Sequence, residues 1–140
     1  MSTQNARESP FSILVAGGRC VYTPGSIFSM GSQKNFVFEI TYNRNHPISY
    51  LSIHLRDNLY TLGEGRAAAI YARPYKGGLI CQDYFIGDLG PRKMSLFYQL
   101  EEGVTKISIT ITTMSESEVN KVIKKHNLGG SKTGPFTYLK

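Results

Sequence analysis

Apolar and polar positions alternate along the stretch from Asn35 to Tyr42. Phe36, Phe38, Ile40 and Tyr42 fall on one face, with Val37, Glu39 and Thr41 on the other. After a break at Asn43–Pro47, Leu51, Ile53 and Leu55 share a face opposite Ser52, His54 and Arg56. A period of two is the signature of a half-buried strand, because successive side chains point to opposite faces of a sheet. The pattern predicts strands over 35–42 and 48–56.

Further runs repeat the signal. Residues 11–15 (FSILV) begin a strand that stops at Gly17-Gly18, and Arg19–Tyr22 continues it beyond a bulge or turn. Thr23-Pro24-Gly25-Ser26 reads as a tight turn, since proline fixes φ and glycine accepts positive φ. Ile27–Met30 is a short apolar piece, and Gly31–Lys34 reads as a loop. Arg66–Ala72 and Leu79–Ile86 are further strands, separated by breaks at Pro74 and Gly77-Gly78. Met94, Leu96, Tyr98 and Leu100 alternate with polar positions and Phe97. A turn at Glu101–Gly103 precedes the alternation of Ile107, Ile109 and Ile111, and the whole reads as a hairpin. The expected core is Phe36, Phe38, Ile40, Leu51, Ile53, Leu55, Leu96, Ile107, Ile109 and Ile111.

The C-terminal region changes period. Ser115 followed three residues later by Glu118 is a capping box, in which each side chain satisfies a backbone N–H of the other's residue. Val119, Val122, Ile123 and His126 recur at spacings of three and four, which predicts a helix over about 115–127 with one apolar stripe. Gly129-Gly130 ends it. The chain therefore divides into a disordered leader (1–10), a β-sandwich domain (11–114), a C-terminal helix (115–128) and a tail (129–140). The fold class is all-β: an antiparallel sandwich of seven or eight strands with one C-terminal α-helix.

Composition agrees with one domain. The 140 residues are 41% hydrophobic, and nine Tyr and seven Phe compensate for the absence of Trp. Cys20 and Cys81 read as free, partly buried thiols of a reducing compartment. The leader MSTQNARESP lacks the apolar centre of a secretory signal, and no run approaches the about 20 apolar residues of a membrane span. These features give the expectation of a cytoplasmic protein, peripheral to a membrane where it meets lipid.

The net charge of +6 favours acidic partners. Arg66, Arg73 and Lys76 flank one strand and Arg92 with Lys93 starts another, so these five are the candidate anion- and lipid-binding residues. Lys121, Lys124 and Lys125 oppose the apolar stripe of the helix and are candidate partner-binding residues. Nucleic acid is the rival anion, with Tyr71, Tyr75 and Tyr84 interleaved among Arg73 and Lys76 as stacking platforms. A second copy of the chain is a further candidate partner, through the apolar stripe. His46, His54 and His126 are scattered and make no metal-ligand pattern, and no cofactor is expected. Cys20, Cys81 and the serines form no nucleophile elbow, so no enzyme is expected and no catalytic residue is assigned.

Residues 35–112 resemble a C2 domain. The resemblance rests on the aromatic-rich strand Asn35–Phe38, the LSIHLRD strand Leu51–Asp57, and the turn and strand Leu62–Ile70. Phe97–Leu100 and Gly103–Ile111 look like the closing strands of that family. Calcium-binding members carry several aspartates in two loops at one end. Here Asp57 occupies one such position, Leu59 stands where a second acid belongs, and the earlier loop, placed at Thr23–Lys34, has none. Because Ca²⁺ takes six to eight oxygen ligands, the resemblance implies a calcium-independent member. The expected function is a non-enzymatic binding module contacting a protein partner or an anionic membrane surface. The alternative is a lectin-like ligand-binding sandwich or a coat or assembly protein. Ser52, His54, Arg56 and Asn58 are the residues that could line a sugar-binding face.

Overall fold

The computed structural model describes residues 9–15, 19–21, 23–41, 50–56, 62–76, 79–80, 83–100 and 104–128. They form ten antiparallel strands and one helix: β1 (Phe11–Val15), β2 (Arg19–Val21), β3 (Ser26–Met30), β4 (Gln33–Thr41), β5 (Tyr50–Leu55), β6 (Arg66–Lys76), β7 (Leu79–Ile80), β8 (Tyr84–Leu89), β9 (Ser95–Gln99), β10 (Val104–Ser115) and α1 (Glu116–Leu128). One sheet has the order β2-β1-β5-β9. The other runs β3-β4-β10-β6, with β8 and β7 placed one after the other along the far edge of β6. The all-β sandwich with a C-terminal helix is the observed fold. The strand number exceeds seven or eight because β2 and β7 are separate strands of three and two residues.

The period-two residues meet between the sheets. Phe11, Ile13, Leu51, Ile53 and Tyr98 of the first sheet face Phe38, Ile40, Ile70, Ile107, Ile109 and Ile111 of the second, and all are buried. Nine of the ten expected core residues are buried; Leu96 is partly buried and packs against that core from β9. Tyr42 lies outside the described residues.

Arg19–Val21 does not continue β1 but folds back on it, with Leu14 opposite Cys20. That register puts Cys20 on the outer face, so its thiol is exposed rather than partly buried; Cys81 lies outside the described residues. The loop placed at Thr23–Lys34 is mostly strand: β3 and β4 form a tight hairpin through Gly31 at φ 63° and Ser32. Asp57 and Leu59 lie outside the described residues. Pro74 does not end β6. Its partner on that edge changes from β8, ending at Ala72↔Tyr84, to β7, starting at Tyr75↔Ile80. Proline sits in the gap between them, where a residue without an N–H is tolerated. The expected hairpin of 94–111 is also absent. β9 pairs with β5 in one sheet, whereas β10 lies between β4 and β6 in the other, so the two strands do not pair.

Candidate functional site

Helix α1 begins with the capping box its sequence predicts. Glu118 donates its backbone N–H to Ser115 Oγ at 3.2 Å, and Ser115 donates its own to Glu118 Oε1 at 3.2 Å. Glu116 and Glu118 in the first turn and Lys125 in the last complement the helix dipole. The apolar stripe docks on the outer face of the larger sheet. Val119 is 2% exposed and packs with Ala67, Ala69 and Met114, while Val122 and Ile123 join from the rim. Alternation explains this second apolar layer. Ala67, Ala69 and Tyr71 face outward from β6, while Ala68, Ile70 and Ala72 face the core. The alanines leave room for a helix to approach the strand. The far end of α1 is held by His126 stacked on Phe85 at 4.8 Å, with Phe85 edge-on to Tyr71 at 5.7 Å. Burial, and secondly the Asp83 carboxylate, pushes the Tyr71 phenol above its ordinary pKa.

Docking on one side fixes what the other side presents. Lys121, Lys124 and Lys125 are all exposed. At 100° per residue they fall within one arc opposite the stripe. None of the three is in an ion pair with another described residue.

The other basic candidates are not gathered into one cluster. Arg66 and Lys76 stand at opposite ends of the eleven-residue β6, about 33 Å apart along an extended strand. Arg66 donates to the Ser32 carbonyl at 2.8 Å, which ties it to the β3–β4 turn. Arg73 lies on the outer face, and its guanidinium makes a two-pronged pair with Asp83 at 3.1 and 3.0 Å. The Asp83 hydrogen bond, followed by its charge, holds the Arg73 guanidinium above its ordinary value. Arg92 and Lys93 do come together. With Asp88, Gly90, Pro91, Ala67 and the first turn of α1 they line an open cleft of about 290 Å³. Asp88 and Glu116 line it too, and Lys93 lies 3.9 Å from Asp88, so the cleft is close to charge-balanced. Tyr71, Tyr75 and Tyr84 are half-buried, and Tyr75 lies under Lys106 at 4.9 Å.

The outer face of the smaller sheet carries a group the charge pattern does not reveal. Tyr50 and Phe97 are diagonal neighbours on β5 and β9, with ring centroids 5.1 Å apart and planes tilted by 33°. Phe97 is 58% exposed and Tyr50 40%. Beside them Ser52 Oγ and His54 Nε2 are 2.8 Å apart. Ser52 and His54 were legible as one face from the alternation of β5. Phe97 was also legible, as the one aromatic at a polar-phase position between Leu96 and Tyr98. Arg56 follows the strand, with its guanidinium donating to the Ser9 carbonyl at 3.0 Å; Asn58 lies outside the described residues.

Among the described residues, no group of three or more His, Cys, Asp or Glu side chains is placed to hold a metal ion, and no helix is long and apolar enough to cross a membrane. No protein-family model matches the chain, and no curated protein matches its sequence.

Proposed function

We propose that this chain is a non-enzymatic binding module that meets an anionic phospholipid surface, without calcium, through the exposed face of α1. The observation that carries the reading is the division of that helix. Its apolar stripe is anchored on the sandwich, so Lys121, Lys124 and Lys125 form a pre-arranged cationic face. Each lysine near an anionic membrane contributes about 1 kcal/mol, so three contribute about 3 kcal/mol in all. That is a weak, reversible and salt-screened attachment. The resemblance of residues 35–112 to C2 domains supports the same reading, because that family includes peripheral lipid-binding modules. Asp57 alone among the resembling loop positions carries an acid, which supports calcium independence. Arg73 is left out of the proposed face because Asp83 already occupies its fork.

Vesicle co-sedimentation tests the proposal. The protein should pellet with vesicles containing about 30% phosphatidylserine, in EDTA at low salt, and stay in solution with phosphatidylcholine alone. Added calcium should not increase the bound fraction. Equal binding to both vesicles, or binding that requires calcium, would contradict the reading.

A further inference from the structure

The outer face of the four-stranded sheet has a composition unlike the rest of this basic protein. Along β1, β5 and β9 it presents Ser12, Leu14, Tyr50, Ser52, His54, Ser95, Phe97 and Gln99, and no Lys, Arg, Asp or Glu. α1 covers part of the other sheet's outer face, but among the described residues nothing covers this one. Two exposed rings, 5.1 Å apart, form a ledge at its β9 edge. A hydroxyl and an imidazole, mutually hydrogen-bonded at 2.8 Å, lie in the adjoining positions. From Tyr50 to His54 the ledge runs about 13 Å, and the three strands span about 10 Å across.

We infer that this ledge is a binding site for a neutral carbohydrate. A pyranose ring has an apolar face of C–H groups and a rim of hydroxyls. The first stacks on an aromatic ring, and the second hydrogen-bonds to polar groups that donate and accept. Tyr50 and Phe97 supply the stacking surface. Ser52 Oγ and His54 supply the hydrogen-bonding groups, since a hydroxyl both donates and accepts and an imidazole carries two ring nitrogens. The ledge is long enough for two sugar rings. Charge argues the same way. A nucleic acid strand would need lysines or arginines tracking its phosphates, and the strand positions of this face have none. Arg56, just past the end of β5, has its guanidinium on the Ser9 carbonyl. A second copy of the chain would need a contiguous apolar centre, whereas the hydroxyl of Ser52 stands between Leu14 and Phe97 in the strand register. The Ser52–His54 pair is not a nucleophile with its base: among the described residues no carboxylate lies on this face to orient the imidazole.

The site is independent of the lysine face of α1, and the test separates them. ¹⁵N-labelled protein is titrated with neutral oligosaccharides of glucose, galactose, mannose and N-acetylglucosamine, each to about 20 mM, because open aromatic ledges bind weakly. At least one should shift the amides of Tyr50, Ser52, His54 and Phe97 while leaving those of α1 unmoved. Tyr50→Ala and Phe97→Ala, both at exposed positions, should keep the melting temperature and each weaken that sugar roughly tenfold or more. Lys121→Glu should leave it unchanged. The inference is overturned if no oligosaccharide shifts these amides, or if the alanine variants bind as the wild type does. It is also overturned if the same amides shift with protein concentration alone, which would mark a dimer contact, or respond more strongly to a dT oligonucleotide.

Discussion

Gly87 offers a quantitative check on how closely the two sheets approach. It sits in β8 at φ 151°, opposite Ile70, beside the point where the β6–β8 register shifts. A Cβ placed there would lie 2.9 and 3.1 Å from the two terminal methyls of Leu96, which reaches across from β9. Gly87→Ala therefore carries two separate costs. The backbone conformation, unfavourable for an L-residue, costs about 1–3 kcal/mol. Overpacking against Leu96 costs about 1–3 kcal/mol, toward the lower end because the contacting atoms are the far end of a flexible side chain. The sum is about 2–4 kcal/mol, which for a chain of this size lowers Tm by roughly 6–14 °C. Chemical denaturation followed by circular dichroism measures it. In a Leu96→Ala background the clash disappears and the backbone term remains, so the two substitutions should couple by about 1 kcal/mol. If Gly87→Ala costs the same in both backgrounds, the inferred close approach of β8 to β9 is wrong.

Three further outcomes follow from the packing. Ile109 is fully buried between Phe38 and Ala72 on the neighbouring strands, so Ile109→Ala should cost about 2–5 kcal/mol by denaturant unfolding, and a cost below that range would contradict its central place. Ser115→Ala removes the α1 cap and should cost about 1 kcal/mol, while Val119→Asn should cost more because it places an amide in the layer of Ala67, Ala69 and Met114; sizing chromatography should show both variants unchanged in mass. Tyr71 has its pKa raised in the folded state, so its contribution to stability is complete below the ordinary phenol value of about 10 and is lost as pH rises through the folded value; Tyr71→Phe should remove that part of the alkaline decline in unfolding free energy.

The faces of the strands were legible in the sequence, but their partners were not. Alternation states which side of a strand is apolar, and Phe38, Ile53 and Ile109 follow it without exception. It carries no information on which strands exchange hydrogen bonds. The segments 94–100 and 104–111 look like a hairpin locally, yet β9 pairs with β5 and β10 pairs with β4 and β6, in opposite sheets. Helix α1 was legible in both its cap and its stripe, since both are set by local spacing. The spread of the cationic set on β6 was not. Arg66, Arg73 and Lys76 are near in sequence, but an extended strand separates them and alternation sends Arg73 to the face opposite the other two. The aromatic ledge was half legible: each ring breaks the polar phase of its own strand, but only the β5–β9 register brings them together.

In the proposed attachment, Lys121, Lys124 and Lys125 make the contact with an anionic surface. Its most direct test compares two charge reversals on vesicles containing about 30% phosphatidylserine in EDTA. One is K121E/K124E/K125E, on the exposed face of α1; the other is R92E/K93E, at the cleft beside it. The helix variant should lose vesicle binding with its melting temperature nearly unchanged, while the cleft variant should still bind. Retained binding by the helix variant would contradict that contact, as would loss confined to the cleft variant.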